Sequence, residues 1–326
     1  MTRLGYQIPN FNYPGVTPAG LFDAVAAQAK AAERSGFDTV LLMDHFYQLP
    51  MLGPPDNYML ECYTTLAALA RETSRVRLSA LVTGNTYRNP AMLAKVVTAL
   101  DVVSNGRAQL GIGAGWFELE HNSMGYEFGT FTDRFEKLEE ALQIILPMLR
   151  GERPSLDGKH YRVSEVINEP PPVGRIPIMI GGSGEKKTLR MVAQYADESN
   201  LTYPADQLPR KLEALAAHCE RLGRDRAEIT LSQHLNVVIA EDHDAAYKAV
   251  VEFLRSRGVD VESMDEDSRA GVLNIVVWGG EDEVGEKLAA ILELGAEGFT
   301  CSLPGHGHDT DRVEQLGRTA SKVLGL

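Results

Sequence analysis

The sequence predicts an α/β fold, a (β/α)8 TIM barrel with capping segments at the carboxyl ends of its strands. Three observations lead there. Short apolar or β-branched runs alternate with longer helical patterns, eight such runs occur, and the helices exit through similar turns.

The strand-like runs are Leu4–Ile8, Thr39–Met43, Arg77–Thr83, Arg107–Ile112, Ile176–Ile180, Glu198–Leu201, Leu231–Ile239 and Gly298–Leu303. Helical spacing lies between and after them at Leu21–Ser35, Cys62–Thr73, Ala91–Ser104, Phe131–Leu149, Lys186–Tyr195, Gln207–Leu222, Glu281–Leu294 and Asp309–Leu324. Leu208, Leu212, Leu215, Cys219 and Leu222 repeat at four and three, the stripe of a helix that covers a sheet. Ser35-Gly36, Asn105-Gly106 and Leu294-Gly295 each supply a residue tolerant of positive φ at a helix exit. Two stretches, 113–130 and 151–175, exceed ordinary loop length, and 241–274 reads as an insertion carrying a helix at Asp244–Arg257; all three are expected to cap the barrel. No linker composition divides residues 1–326, so one domain is expected.

With 326 residues, 44% hydrophobic, and a formal net charge of -13, the chain is suited to a small-molecule substrate rather than to nucleic acid or an anionic membrane surface. Cys62, Cys219 and Cys301 are scattered, odd in number and lack C-x-x-C spacing, so neither a disulfide framework nor a zinc knuckle is indicated and a reducing cytoplasm is the expected compartment. Pro9, Pro14 and Pro18 interrupt the region where a signal peptide would need an apolar core, and no apolar run approaches a membrane span.

In a barrel the reactive side chains belong at the carboxyl ends of the strands. The second strand ends in Asp44-His45-Phe46, where a histidine can exchange a proton near neutral pH and an aspartate can fix its tautomer or bind a ring edge; a purely structural Asp-His pair is the plain alternative. The third continues Ala80-Leu81-Val82-Thr83-Gly84, whose glycine either lets a ligand approach the backbone or simply ends the strand. Gly111-Ile112-Gly113-Ala114-Gly115-Trp116 follows the fourth. No helix opens on these glycines and a polar aromatic loop, Trp116–Tyr126, comes next, so packing beneath a bound ring fits better than a dinucleotide motif. The fifth ends in Gly181-Gly182-Ser183-Gly184 before Lys186 and Lys187, a glycine-rich helix start whose amides suit a phosphate. Arg175, Arg190 and Arg88 are further candidate cations for an anionic ligand. His306 and His308 lack further metal ligands at a suitable spacing, and Asp309 reads as a helix N-cap; no metal site is expected.

The order of these motifs along nearly the whole chain resembles the luciferase-like monooxygenase superfamily, in particular its coenzyme F420-dependent branch. The resemblance rests on Gly36-Phe37-Asp38 to Asp44-His45-Phe46, Leu81–Pro90, Asn105–Trp116, and Gly158-Lys159-His160-Tyr161 through Ile176–Gly184. It implies a deazaflavin (coenzyme F420) across the strand ends, with its phosphate at Gly181, Gly182, Ser183 and Gly184 and a non-prolyl cis peptide within Ala80–Thr83 behind its central ring. Asp44, His45, Ala80, Leu81, Thr83 and Gly84 would line the cofactor. His45 is the implied proton donor, with Trp116 and Glu120 as further catalytic candidates. Some relatives carry Glu where this chain has Trp116, which leaves the general acid open, with Glu118 and Glu120 nearby. The expected activity is hydride transfer between F420 and a small organic substrate; a reduced-FMN monooxygenase and a non-catalytic flavin-binding protein are the alternatives. A homodimer is also implied.

Overall fold

The computed structural model describes residues 2–202 and 204–326. Eight parallel strands close into a barrel: β1 (Leu4–Ile8), β2 (Thr39–Leu42), β3 (Arg77–Ala80), β4 (Ala108–Gly113), β5 (Ile178–Gly181), β6 (Glu198–Leu201), β7 (Thr230–Ile239) and β8 (Gly298–Ser302). Each pairs with the next in chain order, and β8 returns to β1 through Leu4 beside Phe299 and Gln7 beside Ser302. The helices that cover it are α1 (Leu21–Arg34), α2 (Cys62–Glu72), α3 (Pro90–Ser104), α4 (Glu118–Met124), α5 (Phe131–Leu149), α6 (Thr188–Tyr195), α7 (Leu208–Leu222), α8 (His243–Arg255), α9 (Glu266–Leu273), α10 (Glu281–Glu293) and α11 (Thr310–Leu324).

Alternation along the strands separates two environments. One face of each strand, including Leu4, Tyr6, Val40, Leu42, Leu78, Leu110, Ile180, Leu231 and Phe299, is buried in the main apolar core with the helices. The other face looks into the barrel and is largely polar. At the amino-terminal end, Thr2 closes this interior: its amide donates to Glu198 Oε1 at 2.8 Å and its hydroxyl meets Thr39 Oγ1 at 3.0 Å and Gln109 Oε1 at 3.2 Å. Burial pushes the Glu198 carboxyl above its ordinary range.

Helix exits follow the turn chemistry read from the sequence: Gly36 (φ 103°), Asn105 (φ 58°), Gly106 (φ 84°) and Gly295 (φ 105°) take positive φ. At a helix start, Asp309 caps α11 by accepting from Asp311 N. The three capping segments are more ordered than expected. Segment 113–130 contains α4, too short to show a helical period. Segment 151–175 forms a two-stranded antiparallel hairpin, Leu156–Asp157 with Arg162–Val163. Its Gly-x-His-Tyr turn is held by Glu140 of α5, which accepts from the amides of Lys159, His160 and Tyr161, each at 2.9 Å. A Cβ at Gly158 would fall 2.4 Å from that carboxylate, so the glycine is what lets the turn seat. Segment 241–274 carries α8 and α9 with a small apolar core around Val238, Val250 and Leu254, and is followed by a ninth parallel strand, Val277–Gly279, on the outer part of β7.

Gly271 sits inside α9, where an added Cβ would meet nothing within 4 Å, and its φ is unexceptional. Gly271→Ala is therefore expected to raise stability by about 0.5–1 kcal/mol, read as a higher urea midpoint with an unchanged slope.

Candidate active site

The carboxyl ends of β2, β3 and β4 converge on one buried carboxylate. Glu120, on the inner face of α4, is fully buried. Its Oε1 accepts from Phe46 N at 2.5 Å and Tyr47 N at 2.9 Å; its Oε2 meets His45 Nδ1 at 2.8 Å and accepts from Tyr87 Oη at 2.5 Å. Burial alone would raise this carboxyl, but the hydrogen bonds from His45, Tyr87 and Tyr47 and the pull of the imidazole outweigh it and hold Glu120 below its ordinary range. The Tyr87 hydroxyl is driven far up by burial and by the carboxylate it serves, so it acts as a donor.

This arrangement fixes His45. A ring nitrogen facing a carboxylate carries the proton, so Nδ1–H belongs to Glu120, and Nε2 makes no hydrogen bond among the described residues. Trp116 and Phe117 each stand edge-on to the His45 ring at 5.8 Å. Trp116 is 53% exposed and forms the outer wall beside the imidazole. The next histidine along α4, His121, is spent internally, between Phe117 O at 2.8 Å and Thr86 Oγ1 at 2.6 Å.

Asp44 is buried and held by Arg88 in a two-point pair of 2.6 and 3.0 Å, and Arg88 also reaches Glu61 at 2.7 Å. Burial lifts the Asp44 carboxyl against the pull of Arg88, while Asp44 in turn holds the guanidinium further up. Arg88 is thus committed to Asp44 and Glu61, not free for an anionic ligand.

The non-prolyl cis peptide lies at Leu81–Val82. It is followed by a short extension, Thr83–Gly84, alongside β4. The neighbouring glycines serve this backbone. A Cβ at Gly111 would lie 2.0 Å from the Ala80 carbonyl oxygen, and one at Gly181 would lie 2.8 Å from Val82 Cγ1. Gly113 likewise faces Val82, and Gly84 makes room for the Tyr87 ring at 2.6 Å. The glycine pattern read as packing beneath a bound ring is, in the first instance, the space that lets Val82 lie across the ends of β4 and β5. Leu81 N is tied to Leu42 O at 2.8 Å, and Thr83 Oγ1 to Tyr63 Oη at 2.6 Å.

Beyond β5, Gly182 takes φ 116° and its amide donates to Asn200 O. Ser183 is buried, with Oγ accepting from Thr202 N at 3.2 Å, and Gly184 is exposed. Helix α6 begins at Thr188, two residues later than expected, without a side-chain cap, and the amides of Ser183–Lys187 meet no acceptor among the described residues. Unpartnered amides at an uncapped helix start fit a phosphate. The cations expected to assist are mostly engaged elsewhere, which corrects the sequence reading. Arg190 pairs with Glu139 and Lys187 lies over Phe131 and Phe135. Arg175 pairs with Asp197 at the opposite, amino-terminal end of the barrel. Lys186 alone of the four is exposed with no ion pair among the described residues.

The structure therefore brings His45, Glu120 and Trp116 together; Asp44 is turned to Arg88, Ala80 is buried in the helix-facing core, Thr83 is buried against Tyr63, and Leu81 and Gly84 lie on the neighbouring strand end. Tyr87 escaped the sequence reading, which looked for chemistry at strand ends and not in the turn of Asn85–Tyr87. The polar interior of β7, Ser232, His234 and Asn236, escaped it too, although their period of two on a long strand is a legible sign of a common face.

Residues 2–298 match the family model for luciferase-like monooxygenases. An F420-dependent glucose-6-phosphate dehydrogenase of Microbacterium testaceum is 29% identical over 295 residues, 85% of this chain and 86% of that protein. A pyrimidine monooxygenase of Allorhizobium ampelinum is 28% identical over 293 residues, 83% and 76% of the two chains. Among solved structures, a coenzyme F420-dependent tetrahydromethanopterin reductase from Methanopyrus kandleri superposes with a TM-score of 0.77 at 20% identity, covering 98% of this chain and 99% of that one.

Proposed function

Since the chain belongs to the luciferase-like monooxygenase family and is an oxidoreductase, we propose that it works with coenzyme F420, transferring a hydride between the deazaflavin and a small organic substrate. The observation that carries the reading is the His45–Glu120 pair at the barrel rim, because hydride transfer to or from an oxygen-bearing carbon needs one group to give or take a proton. The deazaflavin, when bound, supplies or accepts the hydride. Everything else falls to the chain.

With Nδ1–H committed to Glu120, Nε2 is the atom of His45 that holds or releases the proton beside the substrate. Glu120 is a positioning residue: it fixes the tautomer, stabilises the imidazolium and pins the loop of Phe46 and Tyr47. Trp116 shields the exposed side of the imidazole. The free amides of Ser183–Lys187, the dipole of α6 and the Lys186 ammonium would hold the cofactor's phosphate, and the Val82 surface beside Gly113 and Gly181 would meet its ring. Glu185, which would oppose an anion there, is engaged by Lys211 at 2.7 Å and Arg210 at 3.0 Å.

His45→Ala is expected to lower kcat by roughly 100- to 10,000-fold while leaving the F420 dissociation constant nearly unchanged. Turnover by neither form, with tight binding by both, would support a non-catalytic binding protein instead. The monooxygenase alternative, in line with the pyrimidine monooxygenase relative, is separated by oxygen uptake: consumption with free reduced FMN supports it, and anaerobic turnover with F420 supports hydride transfer.

A further inference from the structure

One arginine at the barrel mouth has no counter-charge within the fold. Arg257 lies just beyond the carboxyl end of α8, in the segment that follows β7. Its Nη1 donates to the Leu52 carbonyl, in the loop after β2. Its guanidinium also stands 5.3 Å from the centre of the Phe253 ring, and a Cβ at Gly305, in the loop after β8, would lie 3.7 Å from that ring. Arg257 therefore bridges the loops that follow β8 and β2. These flank β1, which in a ring of eight strands stands opposite β5. The Gly181–Gly184 cradle is thus on the far side of the mouth, and the cofactor's phosphate does not account for this arginine.

Leu52 connects it to the reaction centre. The Leu52 carbonyl takes the guanidinium, and the Leu52 side chain belongs to a small apolar cluster with Met43, Leu49 and Phe117. Phe117 is the ring that stands edge-on to His45 at 5.8 Å. The surface between Arg257 and His45 is therefore apolar, with a polar group at each end. A charge held partly out of water is costly unless a group of opposite sign meets it. Arg257 is partly buried, and its Nε is sealed from solvent without an acceptor. Burial pulls the guanidinium below its ordinary value, and no carboxylate stands close enough to pull it back, whereas Arg88 has Asp44 and Glu61. An arginine keeps its proton regardless, so the charge stays unmatched. Nη2 makes no hydrogen bond among the described residues and is not among the sealed atoms, which leaves one edge of the fork open to an incoming group.

We infer that Arg257 binds a carboxylate of the substrate, which makes the substrate an apolar hydroxy or oxo acid. Its carboxylate meets Nη2, its apolar body lies along Leu52 and Phe117, and its alcohol or carbonyl carbon is directed to His45. The inference rests on the reading of His45 as the centre of turnover and narrows the small organic substrate to one class. A single unmatched positive charge calls for a single negative one, which a carboxylate brings and a phosphate dianion exceeds. A charge-assisted bond from a guanidinium also discriminates: the primary amide of the same acid has the same shape, but it offers a weaker acceptor and no charge.

The test is a ligand-observed NMR titration of the purified protein with hexanoate, benzoate and phenylacetate, each beside its primary amide, and with phenyl phosphate as the dianion. At least one carboxylate should bind saturably and about tenfold or more tighter than its amide. Arg257→Met, which removes the charge but keeps an extended side chain, should erase that preference, and Arg257→Lys should keep part of it. No saturable carboxylate binding, equal binding of acid and amide, a preference that survives in Arg257→Met, or tighter binding of phenyl phosphate than of every carboxylate would overturn the proposal. The wild-type comparison of acid with amide stands whatever either substitution does to folding. F420 binding, followed separately by deazaflavin fluorescence, should be the same in wild type and Arg257→Met. Its loss in the variant alone would assign Arg257 to the cofactor and overturn the proposal. Its absence in both would remove the F420 reading and leave the carboxylate result standing.

Discussion

Glu120→Gln is expected to lower turnover by roughly 1,000-fold or more, the scale seen when a carboxylate that orients a catalytic imidazole becomes an amide. The reason is the direction of four hydrogen bonds. His45 Nδ1, Tyr87 Oη and the amides of Phe46 and Tyr47 all point donors at the two oxygens of Glu120. An amide offers one acceptor oxygen and a donor, so two of the four must face an N–H or reorganise. His45 can then switch tautomer, which removes the proton-exchanging form of Nε2. Stability should fall by about 3 kcal/mol, because a buried charge-assisted network loses its acceptor. The pH dependence follows the same carboxylate. Its folded pKa is depressed, so its stabilising contribution is present above the ordinary unfolded value and lost as pH falls through the lower folded one. The Gln variant should lack that portion of the acid loss, which urea titrations below neutral pH would measure. Wild-type turnover in the Gln variant would refute the positioning role.

Gly111→Ala should be the most damaging of the single methyl additions, destabilising by about 3 kcal/mol or more. The new Cβ would stand 2.0 Å from the Ala80 carbonyl oxygen, a backbone atom of the adjoining strand that no side-chain rotation can move. β3 would have to separate from β4, displacing Val82 and with it the surface between Gly113 and Gly181. The expected result is a large drop in urea midpoint together with weakened F420 binding. Gly174→Ala is the control: nothing lies within 4 Å and its φ is not positive, so its effect should be within about 0.5 kcal/mol.

What the sequence disclosed and what it hid divide along a physical line. Strand and helix positions depend on local periodicity and turn chemistry, and these were legible: Phe131–Leu149 and Glu198–Leu201 agree to the residue with α5 and β6, and Gly36, Asn105 and Gly295 sit at positive φ as expected. His45 was legible because barrel chemistry belongs at strand ends. Its partner was harder. Glu120 could be named as a nearby acid, but its approach to His45 depends on α4, whose seven residues are too few to betray a helix in a loop of glycines and aromatics.

Contacts across the barrel were not legible at all. Arg175 looks close to the glycine-rich cradle in the sequence because only a short strand intervenes; that strand runs the height of the barrel and leaves the arginine paired to Asp197 at the far end. The Gly-x-His-Tyr turn, the most distinctive motif, is explained by Glu140, a residue eighteen or more positions earlier on α5. Gly111 and Gly113 were read as packing beneath a bound ring and Gly181 as part of a phosphate cradle; that an added Cβ at each would meet Ala80 or Val82 of the adjoining segment was not legible. The polar wall of Asn200, His234 and Thr300 comes from three strands spread over a hundred residues, and only the register joins them.

The central claim is that this barrel takes a deazaflavin at the Gly181–Gly184 cradle and beneath His45. The most direct measurement is an anaerobic titration of the purified protein with F420 and, in parallel, with FMN, each oxidised and reduced, followed by cofactor fluorescence and absorbance. The account predicts saturable F420 binding at about micromolar concentration, at least about tenfold tighter than FMN. Tight FMN binding with no detectable F420 binding would contradict it.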